Sequence, residues 1–279
     1  RYGAYLPKYR AVLGEIQGFE GRPGRARSKS LATPALDEDT LTMAWEAASR
    51  TLAKGGNPTA VIVVSHSAPF GLRKLSQTLV RALEEIPDPE AVSCYDLAGH
   101  PGSLLDALEL AASLADGGRG EVLVVVSDHV VAHEDRVCDM LSAGGAAAFL
   151  VGERGGFATL GALVRDGREI YDVWRLGTEG EPRYRLEVLF DGYAKGAKGA
   201  LAKLEKATGR PTAKYARAGV SQPHPQTIRG LGKLGIADAA LEGTTFVADI
   251  GNLGAASLGA SLALAPDGAR KRQAVLALG

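Results

Sequence analysis

Five polar side chains stand at turns that close apolar runs or open helix-like segments. They are His66 in SHSAPFG, His100 in AGHPGS, Ser221 and His224 in SQPH, and Asn252 in IGNLGAAS. Histidine gains and loses a proton near neutral pH, so His66, which follows an apolar run at its carboxyl end, could act as a general acid or base. The structural alternative is a ring bonded to backbone at a strand end.

A serine three residues before a histidine, as in Ser221 and His224, suggests a hydrolase pair. The spacing across Pro223 does not establish that the two side chains meet. The chain also contains no G-x-S-x-G nucleophile elbow, which argues against an α/β-hydrolase. Ser221 and His224 therefore stay candidates for a polar pocket.

His100 lies between Gly99 and Pro101 at the start of a predicted helix. The positive end of a helix dipole disfavours a protonated ring there, so His100 would act as a neutral donor or base, or only fill space. Asn252 has a structural alternative too, because asparagine caps helices well.

The remaining chemistry-bearing residues favour structural roles. Cys94, on a predicted strand, and Cys138 are interpreted as buried structural thiols. The pair His129 and His133 in HVVAH has helical spacing, but no HExxH pattern accompanies it. We predict no metal site.

Alternating strand-like and helix-like segments must position these residues. In the first half we predict strands at 60–65, 121–127, 143–152 and 158–164, and helices at 37–54, 71–86 and 102–115. In the second half we predict helices at 188–206, 227–235 and 252–265, and strands at 216–221, 244–250 and 272–279. Each half places a small-residue helix near its centre behind a glycine turn. The pattern predicts a duplicated α/β/α/β/α fold with halves 1–164 and 188–279 joined by a linker or flap, 165–187.

Composition excludes several classes of function. Lys plus Arg and Asp plus Glu balance at 32 each, so no electrostatic signature of nucleic-acid or anionic-membrane binding is present. No apolar run approaches the roughly 20 residues that a membrane span needs. The opening RYGAYLPKYR lacks the apolar core of a secretory signal, and two cysteines fit a reducing compartment, so we expect a cytoplasmic protein.

Seven segments in order resemble the thiolase superfamily, specifically its branch of 3-hydroxy-3-methylglutaryl-CoA (HMG-CoA) synthases and ketoacyl synthases III. They are YGAYLPKYR (2–10), LDEDTLTMAWEAA (36–48), SHSAPFG (65–71), SAGGAAAFLVG (142–152), DVWR (172–175), SQPHPQTI (221–228) and GNLGAASLGASLALA (251–265). The resemblance covers essentially the whole chain. It implies the duplicated five-layer fold and a homodimer, for which we expect the strand near 121–127 to supply the contact.

The resemblance also implies a catalytic set from which this chain departs. The family's nucleophilic cysteine falls on Gly99, with His100 one residue away. The glutamate of HMG-CoA synthases corresponds to His66, and the catalytic histidine corresponds to Ser221, which leaves His224 at an asparagine position. Only the family asparagine is retained, as Asn252.

Three functions follow as hypotheses. The first is aldol or retro-aldol chemistry on a coenzyme A thioester, which needs a base and an enolate site but no nucleophile; thiolase-like aldolases of steroid side-chain breakdown use the fold in this way. The second is an inactive scaffold that binds a thiolase or an OB-fold zinc-ribbon protein. The third is an ordinary acyl-transferring enzyme with a displaced nucleophile. We expect a coenzyme A thioester as substrate and no tightly bound cofactor.

Overall fold

A computed structural model describes residues 1–19, 28–98, 102–131, 140–176, 182–268 and 273–279. Its strands are β1 (Tyr2–Tyr5), β2 (Tyr9–Val12), β3 (Ser30–Thr33), β4 (Pro58–Val64), β5 (Ser93–Leu97), β6 (Glu121–Asp128), β7 (Gly145–Val151), β8 (Val173–Trp174), β9 (Arg183–Tyr184), β10 (Arg217–Val220) and β11 (Val275–Leu278). Its α-helices are α1 (Leu13–Phe19), α2 (Thr40–Leu52), α3 (Leu75–Ala82), α4 (Ser103–Leu114), α5 (Leu186–Thr208), α6 (Pro225–Leu231), α7 (Asp238–Leu241), α8 (Val247–Ile250) and α9 (Ala256–Gly268).

The central sheet has the strand order β1-β7-β6-β4-β5. β4 runs parallel to β5 and β6, whereas β7 runs antiparallel to β6 and to β1. The apolar runs of β4 and β6 are continuous because helices cover both faces of the sheet. β6 pairs with β4 on one side and with β7 on the other, so it offers no free edge for a sheet that continues into a second subunit, and the homodimer stays a prediction.

Five layers stack in the order that the sequence predicts. Helices α2 and α3 cover one face of the central sheet, and α4 and α9 cover the other. α9 also packs on β10 and β11, a parallel pair whose far side is covered by α5 to α7. The α/β/α/β/α architecture is therefore confirmed. Among the described residues the second sheet holds only these two strands.

The predicted strand at 158–164 is wrong, since these residues form neither helix nor strand. The charged residues that follow bind helices instead of a strand partner. Arg165 pairs with Asp106 and Glu109 of α4, and Asp166 accepts a hydrogen bond from Lys203 of α5 at 2.7 Å. These contacts draw the segment across two helices.

The predicted strand at 244–250 is also wrong, because α8 occupies most of it. Gln222, fully buried, supplies the partners that a neighbouring strand would otherwise give. Its Oε1 accepts the backbone N–H groups of Phe246 (2.8 Å) and Val247 (3.1 Å), and its Nε2 donates to the carbonyl oxygen of Thr244. A side chain from β10's end thus opens a helix where the β-branched run alone favours a strand.

Candidate active site at the end of the central strands

Asp128, the last residue of β6, is the centre of a buried hydrogen-bond network. Its side chain has no solvent exposure. Oδ1 accepts the backbone N–H groups of His66 (2.8 Å) and Ser67 (3.1 Å) and the hydroxyls of Ser65 (3.0 Å) and Ser67 (2.7 Å). All these donors belong to the loop after β4. Because β4 and β6 are parallel neighbours, their carboxyl ends meet at one edge of the sheet, and Asp128 holds the loop there.

The second oxygen of Asp128 orients the ring of His66. Oδ2 lies 3.2 Å from Nδ1 of His66 and accepts the N–H of Ala255 at 2.8 Å. The carboxylate form of Asp128 suits these neighbours, because a carboxylate only accepts hydrogen bonds and the neighbours are donors. In a neutral His66 ring the proton then lies on Nδ1, and Nε2 keeps its lone pair. Nε2 is buried and bonds to no described residue. His66 therefore has the arrangement of an oriented general base whose Nε2 is unbonded within the described residues.

A glycine turn from the second half reaches the same carboxylate. Gly254 has φ +58°, and a Cβ there would lie 2.6 Å from Oδ2 of Asp128. Asn252, 7% exposed, accepts at Oδ1 the N–H of Gly254 and the hydroxyl of Ser257, both at 3.0 Å. Asn252 thus holds the turn before α9 and the hydroxyl of Ser257 in the first turn of that helix, and its predicted catalytic role stays a prediction. The fold joins His66 and Asn252 through Asp128 and Gly254.

Gly254→Ala is expected to lower the free energy of unfolding by about 2 kcal/mol, since left-handed backbone costs a side chain about 1–2 kcal/mol and the new methyl would press on Asp128. Urea denaturation measures the loss. Gly161→Ala is the matched control, because a Cβ at Gly161 meets open space and its φ lies outside the left-handed region. An equal stability for Gly254→Ala and Gly161→Ala would contradict the role given to the turn.

Ser221 follows β10 and is bonded to the end of β11. Its backbone N–H donates to the carbonyl oxygen of Leu278 at 2.8 Å, and the residue is 3% exposed. The end of β11 abuts α4, since a Cβ on Gly279 would lie 2.6 Å from Cα of Gly102. Gly99 and His100, which precede this helix, lie outside the described residues.

His224 caps α6. Its Nδ1 accepts the N–H of Gln226 at 3.0 Å, and its ring packs edge-on against Phe190 with centroids 4.9 Å apart. At 2% exposure His224 is part of the packing around α6. Nδ1 of His224 thus makes a structural bond, and the predicted catalytic role of this residue stays a prediction.

The segment predicted as a linker or flap touches the site directly. Arg175, which follows β8, donates from Nη2 to the carbonyl oxygen of His66 at 2.8 Å. The neighbouring Trp174 lies under the guanidinium of Arg185, 5.0 Å from it. The β8–β9 hairpin is therefore anchored to the loop that carries His66.

The sequence analysis missed Asp128. A signal was present, because a carboxylate ends EVLVVVSD just as His66 follows the parallel apolar run, and ligands bind beyond the carboxyl ends of parallel strands. Of the other candidates, Cys94 lies half-buried on β5. Burial lowers the pKa of His129. His133 and Cys138 lie outside the described residues.

Within the described residues no group of three or more His, Cys, Asp or Glu side chains is arranged to hold a metal ion. Searched over the same part of the chain, no helix is both long and apolar enough to cross a membrane.

Comparison with known proteins relates both sequence and fold to two groups of enzymes. A hydroxymethylglutaryl-CoA synthase of Pyrobaculum calidifontis is 31% identical over 215 residues, which are 70% of this chain and 60% of that protein. The solved 3-oxoacyl-(acyl carrier protein) synthase III, FabH, of Pseudomonas aeruginosa PAO1 superimposes with a TM-score of 0.83 at 19% identity, covering 98% of this chain and 90% of that one. An HMG-CoA synthase solved in complex with CoA gives 0.81 at 18% identity, covering 100% and 77%.

No protein-family model matches the chain. The chain spans about 60% of the length of the curated relatives that it matches. The low identity to the solved structures means that they establish the fold, while the sequence match to the synthases establishes homology.

Proposed function

Because this chain belongs to the thiolase superfamily, in the branch of HMG-CoA synthases and ketoacyl synthases III, we propose that it acts on acyl thioesters. We further propose that it makes or breaks a carbon–carbon bond by proton transfer, without an acyl-enzyme. The observation that carries this proposal is the buried pair of His66 and Asp128 with Nε2 of His66 unbonded within the described residues.

The proposed base acts at Nε2 of His66. In the cleavage direction, Nε2 takes the proton of a β-hydroxyl group on the acyl chain, the bond between the α and β carbons breaks, and its electron pair enters the thioester as an enolate. The protonated ring then returns the proton to the α carbon. In the condensation direction, Nε2 takes an α-proton, the resulting enolate attacks a carbonyl carbon, and the protonated ring gives its proton to the alkoxide that forms. Asp128 holds Nδ1–H throughout and stabilises the protonated ring.

The enolate oxygen needs a positive environment, which the start of α4 can supply. The N-terminal N–H groups of a helix carry partial positive charge and stabilise developing oxyanions. The end of β11, to which the N–H of Ser221 bonds, abuts Gly102 just before this helix. Gly99, where the family resemblance places the nucleophile, has no side chain to acylate, which supports a mechanism without a covalent intermediate.

The proposal predicts binding of acyl-CoA without covalent modification. The pure protein is incubated with acetyl-, acetoacetyl- and longer acyl-CoA thioesters, and calorimetry and intact mass are recorded on the same samples. We expect measurable heats of binding and an unchanged protein mass, followed by turnover of a β-hydroxyacyl-CoA to a carbonyl compound and a shorter acyl-CoA.

Other outcomes discriminate among the alternatives. An acyl adduct in the mass spectrum would contradict the mechanism and would indicate a displaced nucleophile, Cys94 or Ser221. Binding of no thioester would contradict the enzyme proposal as a whole. The scaffold hypothesis would then be tested by co-purification with a thiolase or an OB-fold zinc-ribbon protein.

A further inference from the structure

A pocket lies on the opposite face of the central sheet from α4, between α3, β5 and the residues that precede β5. Its volume is about 380 Å³, within the range of small-molecule sites. It is lined by Lys74, Gln77, Arg81, Pro89, Glu90, Val92 and Cys94. None of these residues belongs to the His66 network, so the pocket has no part in the proposed chemistry.

The polar wall of the pocket is one face of α3 and the residue before it. Gln77 and Arg81 are four residues apart, so both point to the same side of the helix. Lys74 precedes Gln77 by about one turn. Lys74 donates from Nζ to the carbonyl oxygen of Cys94 at 3.0 Å and has two further N–H donors. Asp96 already caps the helix by accepting the N–H groups of its first two residues. An anion in the pocket would therefore bind side chains, not the helix terminus.

Arg81 is available to a ligand at low cost. Its Nη2 lies 3.2 Å from Oε1 of Glu90, and the two side chains are 61% and 75% exposed. An ion pair this open to solvent contributes little to stability, about 0–1 kcal/mol. Among the residues that line the pocket, two cations, Lys74 and Arg81, face one carboxylate, that of Glu90; the carboxylate of Asp96 is already engaged by the N–H groups at the start of α3. The guanidinium can bind two oxygens of one carboxylate or phosphate side by side.

The floor of the pocket holds a neutral thiol. Burial raises the pKa of Cys94, and the nearby Lys74 only partly opposes this, so no thiolate repels an anion. Ser76 is fully buried beside the thiol. Apart from the Cys94 thiol, its hydroxyl has no hydrogen-bond partner among the described residues. Val92 adds an apolar surface. The pocket thus combines two cationic donors at its rim with a neutral, partly apolar interior.

We propose that this pocket is a second binding site, for a small organic anion whose carboxylate or phosphate group is held by Arg81 and Lys74. The carbon part of the ligand packs against Val92 and Cys94. The inference depends on the pocket alone and is independent of the proposed function, so failure of one does not affect the other.

Cys94 provides a direct reporter of occupancy. The full chain is alkylated with iodoacetamide in the presence of increasing inorganic phosphate or succinate, and peptide mass spectrometry separates Cys94 from Cys138. We expect one or both anions to slow alkylation of Cys94 with saturation. Arg81→Gln should raise the concentration for half-protection about tenfold or more, the size expected for a lost charge-assisted hydrogen bond.

Arg154→Gln is the matched control, since Arg154 is exposed and is not one of the lining residues. Comparison of phosphate with succinate identifies which anionic group the site prefers. Two results would each overturn the proposal: protection that never saturates with either anion, or the same half-protection concentration in Arg81→Gln and Arg154→Gln.

Discussion

His66→Gln is expected to reduce turnover of a β-hydroxyacyl-CoA by about 10²–10⁴-fold, the usual contribution of a positioned general base. Glutamine keeps a polar side chain of similar reach but has no nitrogen that accepts a proton at neutral pH. Binding of acyl-CoA should persist, because the backbone N–H of His66, which the substitution leaves in place, still bonds to Asp128 at 2.8 Å and holds the loop. Steady-state kinetics and calorimetry on one preparation measure both effects.

His129→Gln is a suitable control for this variant. His129 follows Asp128 directly, and its backbone N–H donates to Ser67 at 2.9 Å, but the network does not use its ring. We expect His129→Gln to retain near-normal turnover. Equal turnover of His66→Gln and the unmodified protein would contradict the proposed mechanism. Loss of acyl-CoA binding together with turnover would mean that His66 only shapes the pocket.

Asp128→Asn is expected to lower both stability and activity. The carboxylate accepts four hydrogen bonds at Oδ1 and contacts Nδ1 of His66 and the N–H of Ala255 at Oδ2. An amide offers one acceptor oxygen and one NH2 group, so in either orientation its NH2 faces donors in a buried site. Each charge-assisted bond contributes about 1.5–3 kcal/mol, so the expected loss is about 3 kcal/mol, or about 6–12 °C in Tm.

Turnover should fall in Asp128→Asn for a separate reason. Without the carboxylate, no group selects the tautomer of His66 that leaves Nε2 unprotonated, and no charge stabilises the protonated ring. Asp116→Asn, at an exposed position, is the control for losing an acidic side chain. A Tm for Asp128→Asn as high as that of Asp116→Asn would refute the network's role in holding the two halves together.

The architecture could be predicted from the sequence because it depends on patterns repeated along the chain. The apolar runs of β4 and β6 have few alternatives to burial in a sheet. Asp39, a residue type that commonly caps helices, accepts the N–H of Thr42 at 2.8 Å and fixes the start of α2. Order and type of most elements follow from such local signals, which need no knowledge of distant residues.

Local signals failed where a distant side chain replaced a strand partner. The run 244–250 is β-branched and apolar, yet Gln222, more than 20 residues earlier, binds its N–H groups and starts α8. The run 158–164 is drawn to α4 and α5 by ion pairs of the residues that follow it. Neither partner is encoded within the run itself.

The sequence by itself determined that His66 follows a buried strand and that a glycine turn with Asn252 opens a buried helix. Only the tertiary structure decided that both belong to one network, because the residue joining them is Asp128, 62 residues from His66 and 127 from Ala255. A carboxylate at a strand end is an ordinary feature of a sequence. It becomes the partner of His66 when parallel pairing of β4 and β6 brings two strand ends together and the turn at Gly254 closes over them.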